Sequence, residues 1–196
     1  MRRVRAYIGL GANVGDAAAT LDAAVAALRT LPGVRVAGVS RLYRTAPVGV
    51  VDQPDFHNAV VAMDVPAGPD PATGATALLA ALKQLERAVG RRYRERWGPR
   101  ELDLDLLVFG RHRLSVERPP GATSNDPAKS GVPLVVPHPE AHRRLFVLAP
   151  LGELAPRLVP PGWHETVARV RDRQRRIEGP EAVEAIASWA GDGWKG

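Results

Sequence analysis

Over its first 110 positions this chain switches its apolar repeat between two residues and about 3.6 in a fixed order, and that order restricts the fold more than any single motif. Val4, Ala6, Ile8 and Leu10 alternate as a half-buried strand does. Asp16 then stands where a helix cap belongs, and Leu21, Ala24, Val25, Leu28 and Leu31 follow at helical spacing until Pro32-Gly33 stops them. Two strand-like runs come next, Val34 to Tyr43 and Phe56 to Val65, separated by the polar loop TAPVGVVDQPD. Asp70-Pro71 opens a second helix with Leu78, Leu79, Leu82, Leu85 and Val89 on one stripe and Gly90 at its end. Leu102 to Phe109 supplies a fourth strand. Strand, helix, strand, strand, helix, strand is the order of the ferredoxin-like split βαβ motif, so an α+β fold is expected, with an antiparallel sheet carrying its two main helices on one face.

The rest of the chain is less patterned. PPGATSNDPAKSGVP, Pro119 to Pro133, reads as a long loop inside the fold. After it come a Pro-flanked turn (VPHPEAHRR), an apolar stretch (LFVLAPL) and an Arg-rich helical candidate, Trp163 to Ile177, expected to cover the sheet or an edge and to present a solvated face. Residues Glu181 to Gly196 read as a short extra helix and a frayed end. Residues 1–160 form the expected main domain, with an insertion at about 119–132, and 161–196 a C-terminal helical extension and tail.

Composition narrows the chemistry. With 196 residues, 45% of them hydrophobic, the chain can bury a sizeable core of its own. It has no cysteine, which removes disulfides, thiolate zinc sites and thiol catalysis and favours a reduced compartment. The N-terminus lacks a long apolar run and no window reaches about 18 unbroken apolar residues, so neither a signal peptide nor a membrane span is expected and a cytoplasmic location is. The net charge of +6 comes from 27 basic residues of which only Lys83, Lys129 and Lys195 are lysine. Arginine offers a planar fork suited to phosphate, so an anionic partner is expected.

The sharpest chemical signal is RWGPRELDLDLLVFG, Arg96 to Gly110. In a strand, Asp103 and Asp105 share one face about 6.6 to 7 Å apart at Cα, while Leu102, Leu104 and Leu106 take the other. Two like charges facing one space repel, a cost that a divalent cation offsets, and oxygen-only ligands favour Mg²⁺. The same alternation also suits a sheet with one wet face. Arg91, Arg92, Arg94, Arg96 and Arg100 crowd the approach to this strand. Cations beside a metal-type acid pair are the equipment of phosphoryl transfer. Trp97, in a Gly-Pro setting, offers a flat ring for stacking. A basic RNA-binding face is the competing reading, weakened by an aromatic content of only 5% and by acids on the open strand face.

GLGANVG, Gly9 to Gly15, resembles a dinucleotide loop, but Val14 stands where the third glycine belongs and no Gly-Lys-Ser/Thr follows. Gly9 and Gly11 read as sites of close backbone packing, with Asn13 and Gly15 shaping the turn into the helix capped by Asp16.

Taken together, GLGANVGD, YRTAPVG, DQPDFHNAV, GRRYRERWGPRELDLDLLVFG and PHPEAHRRLFVLAPL resemble the 6-hydroxymethyl-7,8-dihydropterin pyrophosphokinase family of folate biosynthesis, from the first strand to about Pro160. The resemblance implies transfer of pyrophosphate from ATP to the pterin hydroxymethyl group, releasing AMP, with ATP as co-substrate and two Mg²⁺ ions held by Asp103 and Asp105. It implies catalytic roles for Arg91 and Arg100. It implies ATP contacts from Glu86, Arg91, Arg100, Arg118, His138 and Arg144. The pterin pocket it implies comprises Thr45, Pro47, Val48, Phe56, Asn58, Trp97, Asp103 and Phe146. Small-molecule substrates, no nucleic acid, no membrane and a monomer are expected, and a non-catalytic relative is disfavoured because both acids are present. Departures from the family pattern are Tyr93 where a second loop arginine is common, between Arg92 and Arg94; Lys83 where glutamine is frequent; Ala46 for proline; Phe56 for tyrosine; and the 119–132 insertion, which follows Arg118.

Overall fold

Strand β1 (Arg3–Ala12) lies inside the sheet, flanked on one side by β4 (Phe56–Pro66) and on the other by β5 (Asp103–Phe109), in a computed structural model that describes residues 2–47, 52–90, 98–119, 122 and 131–196. Both pairings are antiparallel. Beyond β4 stand β2 (Arg35–Val39) and β3 (Leu42–Thr45), which both pair with β4 antiparallel. The run Val34 to Tyr43, expected as one strand, is therefore broken in two. At the break Ser40 bonds β4 through both backbone and side chain: its N–H donates to the Val60 carbonyl at 3.0 Å and its Oγ accepts from the Val60 N–H at 2.9 Å. The strand order is β5-β1-β4-β3, with β2 beside β4.

The two expected helices form where their caps place them. Helix α1 (Ala17–Thr30) starts at Asp16, whose carboxylate accepts from the Ala19 N–H at 3.0 Å, and buries Leu21, Val25 and Leu28. Helix α2 (Pro71–Ala88) starts at Asp70, which accepts from Thr73 N–H at 2.9 Å, and buries Leu78, Leu79 and Leu82. Both pack on the sheet face carrying Ala6, Ile8, Leu10, Val61, Met63, Leu104 and Leu106, which form one continuous apolar cluster with them. Each large side chain removed from water there contributes about 1.5 to 3 kcal/mol before cavity effects.

Among the described residues the opposite face is covered only in part. Helices α3 (Leu145–Leu154) and α4 (Val167–Glu178) bring Leu148, Leu151, Val167 and Val170 against Tyr7, Val60, Ala62, Leu107 and Val108. A separate ribbon of β6 (Leu114–Val116) and β7 (Leu134–Val136) lies beyond β5. The C-terminus departs from expectation. In place of a short helix and a frayed end, residues Glu184–Trp189 form β8, antiparallel to β3, and Trp194–Lys195 form β9, which folds back on β8. The tail is thus part of the sheet. Trp194 anchors it, its indole N–H donating to the Ser40 carbonyl at 2.8 Å. Among the described residues no helix is long and apolar enough to cross a membrane.

Gly74 shows how closely α2 is seated. A Cβ at this position would lie 2.2 Å from the Ala67 carbonyl oxygen and 3.1 Å from the Phe109 ring. Intrinsic propensity favours alanine over glycine inside a helix by about 1 kcal/mol; here the clash with backbone wins. Gly74→Ala is expected to destabilise the fold by about 1 to 3 kcal/mol, lowering the melting temperature by about 2 to 4 °C per kcal/mol. A thermal melt showing unchanged or higher stability would contradict this packing.

Candidate active site

The uncovered part of the second sheet face is the site. Its register determines its contents, because residues opposite each other across an antiparallel ladder share a face. Gly11 lies between Asp103 on β5 and Asn58 on β4, and Gly9 between Asp105 and Val60. The two carboxylates thus emerge on the open side while Leu102, Leu104 and Leu106 are buried on the other, as the alternation requires. Neither glycine puts a side chain over the floor. A Cβ on Gly11 would come within 3.3 Å of Asn58 Oδ1, and one on Gly9 within 3.4 Å of Leu107.

Around this floor runs a cleft of about 410 Å³. On one side its wall carries Thr45, Phe56 and Asn58; the Asn58 amide, buried, donates to Thr45 Oγ1 at 2.9 Å, which fixes its orientation. Phe146, in the first turn of α3, forms part of the wall, with the Arg144 guanidinium 5.9 Å from its ring centroid. The other end of α3 is tied to β3 by Glu153, which accepts from the Tyr43 hydroxyl at 2.6 Å. Burial first, then this carboxylate, raise the Tyr43 pKa above its ordinary value.

Cations gather near the acids. Arg100, Arg118 and Arg144 all line the cleft. Arg100 forms an ion pair with Asp103. Arg118 Nε is buried and, among the described residues, has no hydrogen-bond partner, a cost that an anionic ligand would relieve. His138 is placed by its N–H, which donates to the Leu107 carbonyl at 2.9 Å, while its Nδ1 accepts from the Glu140 N–H at 3.3 Å. In the neutral ring that leaves the proton on Nε2.

Of the residues singled out from sequence, the cleft brings together Thr45, Phe56, Asn58, Arg100, Asp103, Asp105, Arg118, His138, Arg144 and Phe146. Pro47 and Glu86 are not on its wall. Val48, Arg91 and Trp97 lie outside the described residues, as do Tyr93 and the arginines beside it.

Two residues not assigned a site role from sequence organise it. Asn13 is buried and uses its side chain and backbone together. Its N–H donates to the Arg100 carbonyl at 3.0 Å, its Oδ1 accepts from the Arg100 N–H at 2.7 Å, and its Nδ2 donates to Gln53 Oε1 and the Pro54 carbonyl, each at 3.0 Å. It joins the segment leading to β5 with the segment leading to Phe56. Lys83, on the cleft wall, donates to the Leu104 carbonyl at 3.0 Å and to Glu86 Oε1 at 2.6 Å, and Glu86 accepts from the Leu104 N–H at 2.7 Å. This buried pair caps the outer edge of β5 at the residue between the two aspartates. The spacing of Lys83 and Glu86 on one helix was the available signal, but pairing with a strand edge is a tertiary event.

No group of three or more His, Asp or Glu side chains that could hold a metal occurs among the described residues. Two carboxylates on a floor that no described residue roofs nevertheless fit Mg²⁺, which takes one or two protein carboxylates and completes its octahedron with water and substrate phosphate. The arrangement can therefore hold a phosphorylated anion against Asp103 and Asp105 and, beside it, a flat ring between aromatic faces with an amide reading its edge.

Residues 7–156 match the family described as 7,8-dihydro-6-hydroxymethylpterin-pyrophosphokinase (HPPK). A 2-amino-4-hydroxy-6-hydroxymethyldihydropteridine pyrophosphokinase of Methylorubrum extorquens is 43% identical over 182 residues, covering 93% of this chain and 98% of that one. The Bacillus subtilis protein of the same name is 40% identical over 149 residues, covering 76% and 77%. Among solved structures, wild-type Plasmodium falciparum HPPK-DHPS with pteroate superposes with a TM-score of 0.72 at 14% identity, covering 99% of this chain. The chain spans about half the length of that structure, 47% of it, and the likeness shows the fold.

The Lys83–Glu86 cap makes a checkable demand. Glu86→Ala leaves a buried ammonium and the Leu104 N–H without their shared acceptor, and is expected to destabilise the protein by about 3 to 5 kcal/mol. Glu86→Gln keeps an oxygen for Leu104 and is expected to cost markedly less; equal losses in chemical denaturation would argue against the edge-capping role.

Proposed function

The chain belongs to the 7,8-dihydro-6-hydroxymethylpterin-pyrophosphokinase family of folate biosynthesis, and on that premise we propose that it transfers the pyrophosphoryl group of ATP to the hydroxymethyl oxygen of 6-hydroxymethyl-7,8-dihydropterin, with Mg²⁺, releasing AMP. The observation that carries this reading is the juxtaposition, in one cleft, of an open acid pair with an amide-and-aromatic slot. A pterin alone would not need the acids.

In this reading the chain mainly positions groups and balances charge, as phosphoryl transfer requires. Asn58, held by Thr45, reads the in-plane hydrogen-bonding edge of the pterin, and Phe56 and Phe146 stack on its faces, with Trp97, Pro47 and Val48 completing the pocket. The hydroxymethyl group then points toward Asp103 and Asp105. These two would hold Mg²⁺, which supplies charge neutralisation and orientation of the triphosphate. Arg100, Arg118, Arg144 and Arg91 bind phosphate oxygens, His138 completes the ATP side, Glu86 acts from behind the wall by holding Lys83 there, and Arg91 and Arg100 stabilise charge developing on the bridging oxygen. The substrate oxygen bonds to the β-phosphorus as the bond from that phosphorus to the α–β bridging oxygen breaks; the hydroxyl proton passes to solvent and the bridging oxygen leaves as part of AMP. Arg100 is suited to this because its guanidinium lies against Asp103, on the side of the cleft assigned to the phosphates.

The finer fold assignment belongs to the same reading. The strand order β5-β1-β4-β3 with antiparallel pairing supports the ferredoxin-like class. Residues 1–160 act as the catalytic domain and 161–196 as an extension, in a monomer of the cytoplasm acting on small molecules. Binding of RNA is disfavoured by Asp103 and Asp105 on the open face, which would repel a phosphate backbone.

The purified chain with ATP, Mg²⁺ and the reduced pterin is expected to yield AMP and pterin diphosphate in equal amounts; ADP as the nucleotide product, or no turnover, would overturn the assignment. Asp103→Ala and Asp105→Ala are each expected to lower kcat on the order of 10³-fold or more while leaving the melting temperature within a few degrees. Wild-type turnover in either variant would exclude the metal role.

A further inference from the structure

The C-terminal strand pair lies beyond the residues matched to the family, yet it is joined to the sheet beside the pterin half of the cleft. Leu42, Tyr43 and Arg44 of β3 face Ala187, Ala185 and Glu184 of β8. Strand β3 then delivers Thr45 to the cleft wall. Without β8 it would be a short edge strand whose backbone pairs with β4 alone, and short edge strands are weakly fixed in place.

The strand pair is anchored at one end and active at the other. At the anchored end, the Trp194 N–H donates to Asp22 Oδ1 at 3.1 Å, its indole reaches Ser40 at the bend between β2 and β3, and the Arg29 guanidinium lies 5.4 Å over the Trp189 ring. At the other end, Arg44 points away from the cleft, its neighbours Tyr43 and Thr45 being buried on the cleft side. From that back face its guanidinium pairs with Glu184 of β8 and stands 4.0 Å from the carboxylate of Asp55, the residue before Phe56. The segment entering Phe56 is therefore held twice: from the side of β1 by Asn13, through Gln53 and Pro54, and from behind by Arg44.

We propose that this C-terminal strand pair is a positioning element for the pterin half of the site: paired to β3 and holding Arg44 through Glu184, it fixes Thr45 and the segment entering Phe56. The inference rests on the reading of Thr45, Phe56 and Asn58 as the pterin slot. The cations assigned to ATP stand elsewhere, Arg100 ahead of β5, Arg118 after β6 and Arg144 ahead of α3. Of these three, Arg144 is linked to β3 at a distance, across α3 through Glu153 and Tyr43, whereas Thr45 lies on β3 itself, so loosening β8 weakens pterin binding more than ATP binding.

The test is steady-state kinetics on the whole chain with Glu184→Ala, Glu184→Asp and Ala185→Pro. Glu184→Ala removes one exposed ion pair and is expected to raise KM for the pterin about two- to fivefold. Ala185→Pro disrupts the β3–β8 ladder and is expected to raise it about tenfold. KM for ATP stays within about twofold in all three, and Glu184→Asp, which keeps a carboxylate for Arg44, leaves the pterin KM near that of the unsubstituted chain. An unchanged pterin KM in both Glu184→Ala and Ala185→Pro overturns the proposal, and so does an equal rise for both substrates, which general loosening of the fold would give. If Ala185→Pro does not fold, Glu184→Ala and Glu184→Asp decide alone. Absence of AMP and pterin diphosphate with the unsubstituted chain would instead defeat the functional reading.

Discussion

The ladder between β1 and β5 pairs a residue with no side chain against each of two residues with a charged one. Gly11 opposes Asp103 and Gly9 opposes Asp105, and the same two glycines oppose Asn58 and Val60 on β4. A register slip of one residue would turn the aspartates toward α1 and α2 and bring Leu104 and Leu106 to the open side. The apolar cluster under the helices forbids that slip. Leu102, Leu104 and Leu106 are fully buried there, and exchanging them for carboxylates would strand charge in a core without partners. The hydrophobic side of the sheet thus determines the geometry of the polar side.

Holding two like charges on one face has a cost, and the neighbouring residues share it. Arg100 lies against Asp103, and the Lys83 ammonium reaches the Leu104 carbonyl between the acids while Glu86 takes the adjacent N–H. These contacts also complete the edge of β5, which would otherwise present unpaired backbone groups at the cleft. Farther along the same edge the His138 N–H takes the Leu107 carbonyl. Edge protection and site construction use the same side chains, so the acids stand on a strand that cannot readily shift.

The parts legible in the sequence were those governed by local periodicity and caps. The period-two run from Val4 to Leu10, the caps Asp16 and Asp70, and the alternation of Asp103 and Asp105 with leucines all report a half-buried element directly. What escaped was decided by distant partners. The strand from Val34 to Tyr43 breaks because Ser40 bonds Val60, and nothing within that run announces it. Glu184 to Trp189 is rich in alanine and looks helical, but the open edge of β3 and the seat for Trp194 at Ser40 draw it into the sheet, a case of pairing overriding propensity. Asn13 and Lys83 carry no motif beyond their residue type; their roles exist only once the segments from Gln53, Arg100 and Leu104 converge on them.

The glycine-rich opening shows why a sequence resembling a phosphate loop need not be one. A loop that cradles phosphate does so with unpaired backbone N–H groups at a helix N-terminus. Here β1 is flanked by β4 and β5, so the backbone groups of Gly9 and Gly11 are engaged in sheet pairing. The first orphan amides of α1 face a carboxylate, since Asp16 accepts from Ala19, and an anion there would meet like charge. The glycines contribute by the side chains they lack. They leave the floor open above Asn58, Asp103 and Asp105, and phosphate recognition passes to guanidinium groups from three separate segments, those of Arg100, Arg118 and Arg144. A site so divided requires each segment to be fixed independently, which is why its supports, Asn13, the Lys83–Glu86 pair and the anchoring of α3 by Glu153, are spread across the whole sheet.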